Sequence, residues 1–89
     1  MDMRHGLGPD SVPLHLLTTR QRMIVEAIDS FARVTLEPCS ASYLARRLRL
    51  NRSTITEHFV ALHRKGWLKS PGSPASLTRR IAVDDWRRV

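Results

Sequence analysis

The sequence predicts a mainly α domain with a small β-hairpin, α+β in class, and three observations carry that prediction. Three amphipathic runs each follow a residue able to cap a helix, and only Leu50 and Asn51 separate the second run from the third. A Pro/Gly/Ser turn between β-prone residues then closes the pattern.

Residues 1–16 mix Gly6, Gly8, Pro9, Asp10, Ser11 and Pro13 with isolated apolar residues, which reads as a loose N-terminal arm whose last leucines dock. Thr18 stands three residues before Gln21 as a capping box, and Met23, Ile24, Ala27, Ile28 and Phe31 recur at helical spacing, so the first helix is expected over residues 19–33. Val34, Thr35 and Leu36 are β-prone and are expected to form a short strand before Glu37, Pro38 and Cys39 break it. Ser40 is the N-cap of a second helix that ends near Arg49, with Tyr43, Leu44, Ala45 and Leu48 inward and Arg46 and Arg47 outward. Asn51 is expected to cap the third helix, which buries Ile55, Phe59 and Leu62 and stops at Gly66. Trp67 and Leu68 open one strand of the hairpin, Pro71, Gly72, Ser73 and Pro74 turn it, and Leu77 to Val83 supply the other. The domain proper is therefore expected over 17–83, with a tail at 84–89.

The composition fits such a domain. The chain has 89 residues, 42% hydrophobic and 26% charged, which excludes collagen-like, mucin-like and highly charged disordered classes. No apolar run approaches the ~20 residues of a membrane span, and residues 1–9 lack the apolar block of a signal peptide, so a cytoplasmic location is expected. The single cysteine, Cys39, has no internal disulfide partner and reads as a small filler residue. With four scattered histidines it offers no tetrahedral metal set, so no metal or cofactor is expected.

Catalysis is not expected either. A nucleophile with its base, a carboxylate pair in a cleft or a phosphate-cradling glycine loop would be needed, and none is correctly spaced. His58 and His63 lie five apart, about 140° around a helix axis, and the adjacent Asp84 and Asp85 diverge on a strand.

The net charge of +7 points to a polyanionic partner. Arg46, Arg47, Arg49, Arg52, Arg64, Lys65 and Lys69 crowd into the middle of the chain against the lone Glu57. Three helices with a tight turn between the last two, followed by a hairpin, make the layout of a winged helix-turn-helix, in which the third helix enters the major groove of DNA. With Ile55, Phe59 and Leu62 inward, that helix turns Arg52, Ser53, Thr56, Glu57 and Val60 outward, with Thr54 at the margin. Arginine can bond guanine with two hydrogen bonds, serine and threonine bond bases or phosphates, and glutamate accepts from cytosine N4. Glu57 suits phosphate binding least, and either reads a base amine or pairs with Arg52 or Arg64. The hairpin adds Lys69, Arg79 and Arg80; strand alternation turns only one of the two arginines toward DNA backbone or minor groove.

These residues resemble a known family. Leu17, Thr18, Arg20 and Gln21, then Leu44, Ala45, Arg47 and Leu48, then Glu57, His58, Ala61, Leu62, Arg64, Lys65 and Gly66, closed by Arg80 and Ile81, are similar to the DNA-binding domain of LexA-type repressors. The resemblance covers about residues 14–82, and Asn51 to Leu68 also looks like the recognition helix and wing entry of MarR-type regulators. It implies base or phosphate contacts from Asn51, Ser53, Thr54, Thr56 and Glu57, with Arg52 in addition, a framework role for His58, and association with the bacterial nucleoid. LexA-type repressors carry a further self-cleaving and dimerising domain that does not fit after residue 83, so the chain is expected to be a free-standing regulator or a fragment. The leading expectation is a sequence-specific double-stranded DNA-binding protein, a transcriptional repressor, that forms a homodimer at least on DNA. Two alternatives stand beside it: a winged-helix adaptor docking an acidic protein partner through Trp67, Trp86 and the basic face, and an architectural, replication or mobile-element DNA-binding protein of weak sequence specificity.

Overall fold

In the computed structural model the described residues are 12–82. After a 3-10 turn at Leu14–Leu16 come α1 (Thr19–Thr35), α2 (Ala41–Leu48) and α3 (Arg52–Arg64). The capping box that starts α1 forms as the sequence predicts. Thr18 Oγ1 accepts from the Gln21 amide and Gln21 Oε1 accepts from the Thr18 amide, each at 3.1 Å. Ser40 likewise caps α2, its Oγ accepting from Tyr43 N at 3.1 Å. Asn51 occupies the N-cap position of α3, but its side chain makes no capping hydrogen bond. Only its carbonyl enters the helix, accepting from Ile55 N.

The core sits where the three helices meet. Ile24, Val25 and Ile28 from α1, Ala41 and Leu44 from α2, and Ile55, Phe59 and Leu62 from α3 are all buried. Leu14 and Leu17 close one side, so the end of the arm does dock, while Leu16 stays exposed. Met23, expected inward, is 39% exposed because it lies at the edge of the stripe, and Val25 takes the buried place. Arg49, left-handed at φ 58°, ends α2, and Leu50 N reaches back to Ala45 O at 3.0 Å. The turn between α2 and α3 is thereby held by backbone bonds, with Leu48 and Leu50 packed against the core on either side.

The strand expected at Val34, Thr35 and Leu36 is absent. Residues 34 and 35 continue α1, Leu36 ends it in the left-handed region at φ 62°, and Val34 and Leu36 are both 80% exposed. Local β-propensity yields there to the running helical ladder, whose last bond joins Leu36 N to Ala32 O. Extended pairing begins instead at Cys39, which exchanges both backbone bonds with Ala75 at 2.7 and 2.8 Å.

The hairpin is also reduced. Among the described residues no strand forms at Trp67–Leu68 or from Leu77 onward; Val83 and the tail 84–89 lie outside the described residues. The two legs meet at a single antiparallel bridge, Leu68 with Leu77, flanked by Lys69 N to Ser76 O and Thr78 N to Trp67 O, both 3.0 Å. Two causes limit the ladder. Pro71 and Pro74 have no amide to donate, and Ala75 gives both its backbone groups to Cys39. Beside them Ser73 Oγ accepts from Ala41 N at 3.0 Å. The turn is thus tied to the start of α2.

Candidate nucleic-acid interface

The first two turns of α3 bury one face in the core and turn the other to solvent. Asn51, Arg52, Ser53 and Glu57 are exposed, Thr54 and Thr56 half-buried, and Ile55 and Phe59 hold the opposite face at 0% exposure. Helical spacing sets Ser53, Glu57, Val60 and Arg64 along the line farthest from the buried stripe, with Thr56 at its side; Arg52, three residues before Ile55 and seven before Phe59, stands over the stripe and is exposed because it opens the helix. Glu57 has no ion-pair partner among the described residues, so neither Arg52 nor Arg64 neutralises it. The Asn51 amide, unused in capping, keeps its donors and acceptor for an outside group. The free backbone N–H groups at the start of α3 add partial positive charge at the same end.

Thr56 is less open than the sequence suggests. Its Oγ1 donates to Ser53 O at 2.9 Å, which engages the hydroxyl proton inside the helix and leaves an acceptor lone pair and a methyl group.

The remaining cations fall into two groups. Arg46 and Arg47 lie on the last turn of α2 and are exposed, but Arg47 donates to Tyr43 Oη at 3.0 Å and lines the cleft between α1 and α2 with Met23, Glu26 and Leu48. It sits on the α1 flank of α2. Lys69 is exposed just beyond Leu68, and Arg80 is exposed as well. Arg79 folds back, its guanidinium 4.7 Å above the Trp67 ring and an amine donating to Arg80 O at 2.9 Å. Of the two adjacent arginines, Arg80 is the one turned to solvent.

Trp67 is unavailable to a partner. It is 2% exposed, and its Nε1 donates to Val12 O at 2.6 Å while Val12 N donates to Lys65 O at 2.8 Å, so it fastens the arm to the end of α3. The adaptor alternative therefore loses one of its two anchors; Trp86, the other, lies outside the described residues.

Two supports of the interface escaped sequence reading. Asp29 on α1, 9% exposed, pairs with Arg33 one turn on at 2.7 Å, and together they hold the backbone of Ile81. Asp29 Oδ1 accepts from Ile81 N at 3.5 Å, and Arg33 Nη2 donates to Ile81 O at 3.2 Å. The Asp/Arg spacing of four was the available signal, although it cannot name the distant partner. The second support is Lys65, whose Nζ donates to Gln21 Oε1 at 2.7 Å and joins the end of α3 to the capping box of α1. That cation is therefore engaged within the fold.

Cys39 is fully buried beside these elements. Burial pushes its thiol up to about 11, against a smaller downward pull from the Arg47 guanidinium, so it is a neutral packing residue at physiological pH. Among the described residues no three His, Cys, Asp or Glu side chains cluster as metal ligands, and no helix is long and apolar enough to cross a membrane.

Comparison with protein families matches residues 14–75, more than half of the chain, to the family described as the LexA DNA binding domain. Comparisons with curated proteins and with solved structures give no match.

Proposed function

The chain belongs to the LexA DNA-binding-domain family and so binds DNA; from that premise we propose that it is a sequence-specific transcriptional repressor. In this reading α3 lies in the major groove and reads bases through Asn51, Arg52, Ser53, Thr54, Thr56 and Glu57. Lys69 and Arg80 follow the backbone or minor groove beside it, and Arg46 adds positive charge from α2. Repression follows by occupancy of the operator, with no chemical step.

The observation that carries the proposal is the unpaired Glu57 on the outermost line of α3. A carboxylate held against phosphates raises the free energy of binding unless it meets a donor, and cytosine N4 in the major groove is such a donor. Pure backbone binding would be served better by any neutral residue there.

A single unit of this size reads only a few base pairs, so useful selectivity calls for two copies on half-sites about one helical turn apart. Selection from a randomised duplex pool at physiological salt tests the whole reading. A repeated or palindromic motif is the expected result, and Glu57→Gln changes the preferred base at one position of it. Retention without enrichment would leave a backbone binder of architectural type, and the repressor proposal would fall.

A further inference from the structure

We propose that Val60, together with the methyl group of Thr56, forms a small apolar contact on α3 that recognises the C5-methyl group of a pyrimidine in the major groove. The inference rests on the major-groove reading above and adds a specificity element outside the polar set.

Val60 is the apolar exception on the outward line of α3. It lies between Glu57 and Arg64 on that line, is 39% exposed, and packs into no part of the core. A β-branched residue gains nothing there from helix propensity, where alanine, lysine or glutamate would serve better. Thr56 precedes it by four residues, which puts the two side chains on neighbouring turns about 6 Å apart along the axis. Because the Thr56 hydroxyl donates to Ser53 O, Thr56 has no proton left to offer a base acceptor. Its methyl and the two methyls of Val60 therefore make an apolar step on a face otherwise built of Ser53, Glu57 and Arg64.

The floor of the major groove offers one apolar group to match such a step, the C5-methyl of thymine; a methylated cytosine carries the same group. Glu57, one turn before Val60, would suffer beside a phosphate, and this draws the step toward the base edges rather than the backbone. A separation of about 6 Å corresponds to roughly two base-pair steps, so the methyl contacts fall within a two-step stretch of the half-site.

The test begins with the duplex recovered by selection and measures affinity after replacing each thymine in turn by deoxyuridine, which removes only the methyl. A parallel series replaces each cytosine by 5-methylcytosine. For the wild-type chain, loss of the contacted methyl weakens binding about three- to fivefold at one or two positions, the equivalent of one methyl taken out of an apolar contact at each. If the contacted base is a cytosine, methylation strengthens binding by a similar factor, so the two series distinguish the sources of the methyl. Val60→Ala abolishes the response at its position, and Thr56→Ser, which keeps the hydroxyl, abolishes the response at the neighbouring one. Both sites lie off the core, and alanine is the better helix former, so a melting curve no lower than wild type accompanies the Val60 change. A selective site whose affinity is indifferent to every C5-methyl, or one to which Val60→Ala responds as wild type does, overturns the inference and leaves the repressor proposal standing. Failure to enrich any sequence overturns both.

Discussion

Arg52 and Lys69 are both exposed cations, yet their places give them different tasks. In the proposed reading Arg52→Ala, at the start of α3, should cost about 1–3 kcal/mol of binding and relax specificity at one position. Lys69→Ala should weaken all duplexes alike and reduce the salt slope by about 0.9. Affinity measured on the selected site and on a scrambled duplex at several salt concentrations separates the two. Cys39 makes a prediction of another kind. Its folded thiol titrates near 11 against an ordinary value of 9.0, so the unfolded chain loses its proton first as pH rises. The stability from keeping it neutral is complete below about 9 and is lost between about 9 and 11, by roughly 2–3 kcal/mol. Urea unfolding of wild type and Cys39→Ala across that range should converge as pH rises. The buried stripe of α3 and the open line of Ser53 and Glu57 opposite it were legible from helical spacing, but the Thr56–Ser53 bond was not, because a hydroxyl's choice between helix backbone and solvent depends on its rotamer.

At the scale of elements, α3 is held by the side opposite its exposed face. Phe59→Ala removes a fully buried aromatic ring from the junction of the three helices and should cost about 3–5 kcal/mol, seen as a fall in thermal or urea midpoint. Thr18→Ala breaks the capping box of α1 and should cost about 0.5–2 kcal/mol. Asp29→Ala should cost about 1–3 kcal/mol, because it unpairs Arg33 and leaves Ile81 N without its acceptor. Its signature is local: faster amide exchange at Ile81 before the helices open. The starts of α1 and α2 were legible because caps and periodicity are short-range signals. The continuation of α1 through Thr35 was not, since β-branched residues can occupy a helix end once the ladder is running.

For the whole molecule the excess positive charge governs affinity and its conditions. With a net charge of +7 and about six phosphates neutralised per unit, log affinity should fall against log salt with a slope of roughly −5. Titration of a labelled operator between 50 mM and 200 mM salt, on the scale where such slopes are read, checks it. A slope near zero would contradict a phosphate-dominated interface. Binding should also be cooperative on a site with two half-sites and lose that cooperativity when their spacing is changed by half a helical turn.

Length, charge, caps and a 3.6-residue period are local or additive properties. For that reason three helices, their tight turn and the exposed start of α3 could be read from the chain in order. The same properties predict two regular hairpin strands, of which the described residues form a single bridge, because pairing depends on what else competes for each backbone group. Here Ser73 bonds to Ala41, Cys39 pairs with Ala75, and Asp29 with Arg33 grips Ile81 from across the fold. Those partners are separated by roughly 30 to 50 positions in sequence, and only packing of the helices around Phe59 brings them within hydrogen-bond reach. Which arginine faces outward was decided in the same way: Trp67, buried and bonded to Val12, draws Arg79 onto its ring and leaves Arg80 to solvent.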